Sequence, residues 1–259
     1  MSNRLVLFQD LGQLDYKTAW DYQESLLQEN VRVKSEIRSL KSNEEIVYKT
    51  AAQLITNHSS AINHGPQLTT QNYLLFVEHP PVFTLGKSGN ISNILISEER
   101  LNEKGIAFFR TNRGGDITFH GFQQIVGYPI LDLEKFDTDI GHYLRNLEEV
   151  IIRTLSDYGI TAGRSKGETG VWIDPGVLGQ ERKICAIGVR CSRWITMHGF
   201  AFNVNTDLNY FNLIIPCGIQ NKQVTSLQKE LGREINIDEV KQKVKQNFEK
   251  VFDVTIVNK

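Results

Sequence analysis

Apolar positions recur every three to four residues along a few long stretches of the chain. Along several short stretches they alternate or run together, with turn residues between them. Residues 14–39 are mostly good helix formers (Leu, Gln, Glu, Arg, Lys), with Trp20, Leu27, Val31 and Val33 among the apolar positions, and predict a helix. Leu144, Leu147, Val150, Ile151, Leu155 and Tyr158 mark an amphipathic helix that Gly159 closes. Asn236 caps a further helix with Glu239 three positions on, and Val240, Val244, Phe248 and Val251 form its buried face. Between these lie candidate strands. Residues 73–78 are stopped by His79-Pro80-Pro81, residues 82–85 end at Gly86, and residues 106–110 follow. The near-continuous apolar run 124–131 suits a buried strand, and residues 171–173, 183–190 and 196–203 complete the set. Helices at both ends around a strand-rich middle predict an α+β or mixed α/β fold. The polar stretch 41–71, part helical around 46–55, reads as a surface insertion whose histidines are solvated.

With 259 residues, 40% of them hydrophobic, the chain suits one large domain over 1–259 that buries a full core. Its 29 basic and 30 acidic residues give no gross charge bias, so no nucleic-acid partner is expected. No run approaches the roughly 18 apolar residues of a membrane span, so no membrane partner is expected either. The first twenty residues lack a signal-like apolar run, and Asp10, Asp15 and Asp21 are unlike a transit peptide. The three cysteines, Cys185, Cys191 and Cys217, match no zinc spacing, and an odd, sparse count fits a reducing compartment. The expected location is the cytoplasm, and no metal is expected. Gly86-Lys87-Ser88 imitates the tail of a phosphate loop, but Pro81 stands where that motif needs glycine.

Candidate chemistry gathers at three places. Pro216-Cys217-Gly218 puts a thiol on a tight turn after Leu213-Ile214-Ile215, where the residue is either a small buried hydrophobe or a nucleophile. Cys185 and Cys191 sit among apolar neighbours and read as packed. Lys183 opens a strand of small and apolar residues; it is either a snorkelling edge lysine or a cation and base able to activate a thiol. Arg113-Gly114-Gly115 is either a hairpin turn or a set of backbone N–H donors for an oxyanion. His120 and His198, each followed by glycine, look like the lining of a cavity.

These residues together resemble the octanoyltransferase family, also called lipoyl(octanoyl) transferase or lipoate-protein ligase B. The likeness covers residues 78–86, the turn RGGDITFHG at 113–121, Gly127-Tyr128-Pro129, residues 183–190, His198 to Asn203, and Pro216-Cys217-Gly218. It implies a mixed sheet flanked by helices, like the catalytic domain of biotin and lipoate protein ligases. It also implies transfer of an octanoyl group from octanoyl-acyl carrier protein to a lysine of lipoyl domains, in 2-oxoacid dehydrogenase complexes and in the glycine cleavage H protein. Cys217 would carry the acyl thioester and Lys183 would lower its pKa. Arg113, Gly114, Gly115, Asp116, Ile117, Thr118, Phe119 and His120 would bind substrate, with Ala186, Ile187, Gly188, Gly199, Phe200 and Ala201. No cofactor is implied, since the acyl group rides on the carrier's phosphopantetheine. An ATP-dependent lipoate ligase of the same fold and a non-catalytic lipoyl-domain or carrier-binding module are the alternatives. An acidic carrier leads one to expect a basic docking patch, from Arg32, Lys34, Arg38 and Lys41, a group that a solvated helix face explains equally well, or from Arg190 and Arg193. The chain departs from the family in having Phe122-Gln123 where proline and glycine are usual, and in the length of 41–71.

Overall fold

A computed structural model of the protein describes residues 4–51, 68–215 and 223–259. The chain begins with a strand rather than a helix: β1 is Arg4–Gln13, with Val6 and Phe8 buried. Helix α1, Tyr16–Ala51, runs beyond the predicted end and buries Tyr16, Ala19, Gln23, Leu27, Asn30 and Lys34, a spacing of three to four. Strands β2 (Tyr73–Glu78) and β3 (Val82–Leu85) fall where the two apolar runs predict them. Helix α2 (Glu98–Glu103) precedes β4 (Ala107–Arg110), β5 (Ile117–His120) and β6 (Gln124–Ile130). Helix α3 (Ile140–Ser156) is capped by Asp139 and leads into Gly159, whose φ is +74°. Then come β7 (Ala162–Gly163), β8 (Val171–Ile173), β9 (Arg182–Ser192), β10 (Ile195–Asn203) and β11 (Gln223–Val224). The chain closes with α4 (Leu227–Leu231), α5 (Ile237–Phe252) and β12 (Val254–Asn258). Asn236 caps α5, its side-chain oxygen accepting from the N–H groups of Asp238 and Glu239. Of the insertion predicted at 41–71, residues 52–67 lie outside the described residues, and 41–51 continue α1.

Among the described residues the strands form a mixed nine-stranded sheet in the order β12-β1-β2-β6-β10-β9-β8-β7, with β11 beside β9, and a three-stranded sheet β4-β3-β5. Helices therefore do not bracket the fold from its ends. β1 and β12 pair in parallel, so the first and last elements among the described residues are strands in one sheet. Helices α3 and α5 cover one face of the larger sheet through Leu147, Val150, Ile151, Val244 and Phe248, packed on Ile125, Phe200 and Phe202. Helix α1 covers the other face, placing Ala19, Leu26 and Leu27 on Val126, Ile130, Met197 and Ala201. The smaller sheet has its own core around Phe83, Leu85, Phe119 and Phe211.

Lys34 does not belong to a docking patch. It is buried, with Nζ 2.7 Å from Asp132 Oδ1 and donating to the Arg193 carbonyl at 3.0 Å. Asp132 is buried too, and its second oxygen accepts from Thr70 Oγ1 at 2.7 Å. A charge pair sealed this way is costly to break, because the surviving partner stays buried without its counter-ion. Lys34→Met is expected to destabilise the fold by about 3 kcal/mol, read as a lower midpoint with unchanged slope in urea denaturation.

Candidate active site

Strands β9 and β10 form a hairpin that turns at Arg193-Trp194, both left-handed at φ +50° and +66°. Two left-handed central residues give the turn that matches the twist of paired strands. Here the bond from Lys34 to the Arg193 carbonyl and that from the Leu133 N–H to the Trp194 carbonyl (2.8 Å) hold the turn without glycine or asparagine.

A cavity of about 390 Å³ is lined by β6, β9 and β10 of the larger sheet and by β5 of the smaller one. Of the residues expected to bind substrate, Arg113, Gly115, Asp116, Ile117, Thr118 and His120 line it from one side. Ala186, Ile187, Gly188, Gly199, Phe200 and Ala201 line it from the other. Gly114 and Phe119 do not. Phe119 faces the core of the smaller sheet, its ring stacked on Tyr210 at 4.5 Å between centroids. The Gly114 N–H is spent on the Val189 carbonyl at 2.9 Å, which fastens the loop to β9 and removes that donor from any oxyanion. A Cβ at residue 188 would stand 2.8 Å from the Gly114 carbonyl oxygen, so glycine is required where loop and strand meet. Nor does Arg113 reach out as a free cation. Its Nη1 donates to the Gly114 carbonyl at 2.9 Å, and its Nη2 to the Thr84 carbonyl and hydroxyl at 2.7 and 2.9 Å. His120 lies on a strand rather than on the turn.

Polar groups at the buried side of the cavity form one ordered chain. His120 Nδ1 donates to Gln124 Oε1 at 3.0 Å, so Nε2 is the bare nitrogen and the Thr84 hydroxyl lies 3.3 Å from it. Gln124 Nε2 donates to Asn203 Oδ1 at 2.8 Å, and Asn203 Nδ2 donates to the Thr225 carbonyl at 2.9 Å. The Thr225 N–H in turn donates to the Lys183 carbonyl at 3.0 Å. Burial holds His120 neutral, its pKa well below the usual imidazole range. His79 behind it donates from Nδ1 to the Leu14 carbonyl and accepts from the Tyr128 hydroxyl at 2.8 Å; burial lowers its pKa to about 4. His198 also lines the cavity, bonded through Nε2 to Asn112 Oδ1 at 2.7 Å, and burial lowers its pKa to about 3. Burial pushes Tyr16 up to about 12, so this phenol stays protonated. Tyr16, Gln124, Tyr128 and Asn203 also line the cavity, though none is among the substrate-binding residues that the resemblance implies. Gln124 and Asn203 carried the one usable signal, since polar side chains in buried strands must find partners.

Lys183 is buried at the cavity wall, its Nζ 4.6 Å from the centre of the Trp172 ring. Val224 of β11 stands in register beside it. Cys217 lies outside the described residues. Cys185 is fully buried, and burial pushes its thiol well above the usual range. Among the described residues no cluster of three or more His, Cys, Asp or Glu is placed to hold a metal ion. Among them, too, no helix is long and apolar enough to cross a membrane.

The model of the lipoyl protein ligase A/B catalytic domain family matches residues 15–249. An octanoyltransferase of Flavobacterium psychrophilum is 53% identical over 98% of this chain and 100% of its own length. One of Cytophaga hutchinsonii is 46% identical, over 99% of this chain and 96% of its own. The chain belongs to the octanoyltransferase family. Among solved structures, a bipartite lipoate protein ligase from Thermoplasma acidophilum, described with its E2 lipoyl domain, covers all of this chain with 87% of its own. Its TM-score is 0.63 at 16% identity. A lipoate-protein ligase A bound with ATP gives a TM-score of 0.62 at 15% identity, over 100% of this chain and 89% of its own. At such identities the likeness is one of fold.

Two features of this octanoyltransferase follow from its backbone. Gln123 sits at φ +60°, in the left-handed region that favours glycine. Its N–H donates to Glu78 Oε2 at 2.9 Å, its carbonyl accepts from the Asn205 N–H at 3.1 Å, and its side-chain oxygen accepts from Asn205 Nδ2 at 2.7 Å. These bonds hold a conformation that costs a side chain of this kind about 1 kcal/mol or more. Gly170 is the second. At φ +121° only glycine is comfortable, and a Cβ there would stand 2.5 Å from the Cys185 carbonyl oxygen and 3.5 Å from Lys183 Cε. Gly170→Ala is expected to lower stability by roughly 1–3 kcal/mol and, by pushing back the strand at Cys185, two residues from Lys183, to slow transfer. Thermal denaturation and a steady-state transfer assay on the same preparation check both effects.

Proposed function

We propose that this octanoyltransferase takes its acyl group from octanoyl-acyl carrier protein and passes it, through a thioester on Cys217, to a lysine of a lipoyl domain. The observation that supports this reading best is the buried Lys183 at the wall of a cavity with apolar lining from Ile117, Val126, Ile187, Phe200 and Ala201. The chain after the Cys217 segment resumes there, with Val224 paired to Lys183. A lysine in that place is a counter-charge for a thiolate.

In the first half-reaction the Cys217 thiolate attacks the carbonyl carbon of the octanoyl thioester. The carrier's phosphopantetheine thiolate leaves, takes the proton of the Lys183 ammonium, and departs as the thiol, which leaves Lys183 neutral for the second step. One thioester replaces another, so the step is nearly balanced and depends on orientation and on support for the oxyanion. In the second, the neutral amine of the target lysine attacks the acyl-enzyme, the Cys217 sulfur leaves, and Lys183 accepts the amine's proton. Amide formation from a thioester is downhill and consumes no nucleotide. The cavity receives the acyl tail. At about 0.8 kcal/mol per methylene, a seven-carbon tail contributes roughly 5–6 kcal/mol of binding.

Intact-mass spectrometry after mixing the protein with octanoyl-carrier protein tests the reading. The expected result is a gain of one octanoyl group, lost with hydroxylamine and passed to an added lipoyl domain. Binding of the carrier with no change in mass would mean a non-catalytic module.

A further inference from the structure

Beside the cavity lies a second recess of about 430 Å³, lined by Arg145, Arg164, Ser165, Lys166 and residues 167–169. Gly167, Glu168 and Thr169 also line the acyl cavity, so the two spaces share one short loop near Lys183. We infer that this recess receives the phosphate of the donor's phosphopantetheine arm while the thioester lies at Lys183; the inference rests on the reading given under Proposed function.

The recess is built from fixed cations. Arg145 Nη1 lies 2.8 Å from Glu148 Oε2, and Arg164 Nε lies 2.9 Å from the same oxygen. Arg164 Nη2 lies 3.0 Å from Glu149 Oε2 and also donates to the Arg145 carbonyl at 3.0 Å. Glu149 is shared with Arg153 at 2.9 Å. Glu148 is wholly buried beneath the two arginines, and its other oxygen accepts from the Gly170 N–H at 3.0 Å. One carboxylate thus orients the recess cations and also anchors the glycine beside Lys183.

Charge and chemistry point to the same ligand. Arg145, Arg153, Arg164 and Lys166 oppose Glu148, Glu149 and Glu168, which leaves one positive charge, matched to a phosphodiester. A guanidinium held by carboxylates on one side keeps further N–H donors for an anion on another, with its plane already set. The acyl end of the donor is an uncharged thioester. The phosphate is the first anion along the arm leading from it.

The test compares octanoyl-pantetheine with the methyl phosphodiester of octanoyl-4′-phosphopantetheine as donors, using a lipoyl domain as acceptor. The two differ only in the methyl phosphate. The expected result is a kcat/KM about tenfold higher for the phosphorylated donor, the size of one charge-assisted contact, and a ratio that shrinks in high salt. Lys166→Ala, at an exposed position, and Arg145→Gln, which leaves Arg164 on Glu148, should each move the ratio toward one. A wild-type ratio near one, or a ratio that neither variant changes, overturns the inference. Octanoate plus ATP forms the third arm: turnover there that is lost in both variants would assign the recess to a nucleotide phosphate instead. Failure of the wild type on both thioesters would refute the octanoyl-transfer reading itself, separately from the recess.

Discussion

Lys183→Met is expected to lower octanoyl transfer by roughly 10²–10⁴-fold while the protein remains folded. Methionine keeps an unbranched side chain against Trp172, so the wall of the cavity survives and only the charge and its proton are lost. The loss of stability should be at least the roughly 1 kcal/mol of the cation–π contact to Trp172, which urea denaturation reads. Lys183→Arg then separates the two roles proposed for the lysine. Arginine supplies a fixed positive charge but gives up its proton only above pH 12 or so, and it cannot receive one from the attacking amine.

The arginine variant should therefore acylate Cys217 in a single burst and stall, while the methionine variant fails at acylation. Rapid quenching followed by intact-mass analysis reads both. Cys217→Ala gives the baseline: no acyl-enzyme in any mixture, with an unchanged circular dichroism spectrum. Equal, near-wild-type turnover in the methionine variant would mean that the thiol ionises without this lysine.

Much of this arrangement was legible in the amino-acid sequence because it is periodic. Tyr73–Glu78, Val82–Leu85 and Val171–Ile173 fall as strands where the apolar runs end in turn residues. The stripe beginning at Leu144 is the buried face of α3. What was not legible depends on distant partners. Strand β12 has no fully buried residue and is held by β1, a neighbour from the far end of the chain. The turn between residues 190 and 196 falls where the two apolar runs predict it, but its tightness at Arg193-Trp194 comes from outside, from Lys34 of α1 and Leu133. Within the site, the motif residues announced a cavity but not which way each would face. Phe119 and His120 are adjacent on β5 and turn to opposite sides, as strand geometry requires. Gln124 and Asn203 gain their meaning only when β6 and β10 pair and bring the two side chains within 2.8 Å.

Stability is expected to fall steeply between pH 6.5 and about 5, before the carboxylates matter. His79, His120 and His198 are buried and neutral in the folded protein, with pKa values of about 4 for His79, about 3 for His198, and well below 6.5 for His120. In the unfolded chain each titrates near 6.5. Below that pH the unfolded state binds protons that the folded state refuses, so stability rises with pH across this window and is lost as pH falls. Each histidine contributes a slope of up to about 1.4 kcal/mol per pH unit, so the three together approach 4. Across the window from pH 6.5 to 5 the loss comes to about 5 kcal/mol, which matches the whole stability of a domain at the lower end of the ordinary 5–15 kcal/mol. Glu149 and Glu230 are lowered from 4.5 by hydrogen bonds from arginine, so their contribution is lost only below that value and does not enter the window. Urea denaturation at pH 7.5, 6.5 and 5.5 measures the slope. His79→Gln, whose amide can still donate to the Leu14 carbonyl and accept from the Tyr128 hydroxyl, should remove about a third of it. A stability that stays level from pH 6.5 to 5.5 would show that these imidazoles take up protons without unfolding the core around them. The neutral, ordered chain from Thr84 to Thr225 would then not be the resting state of the cavity.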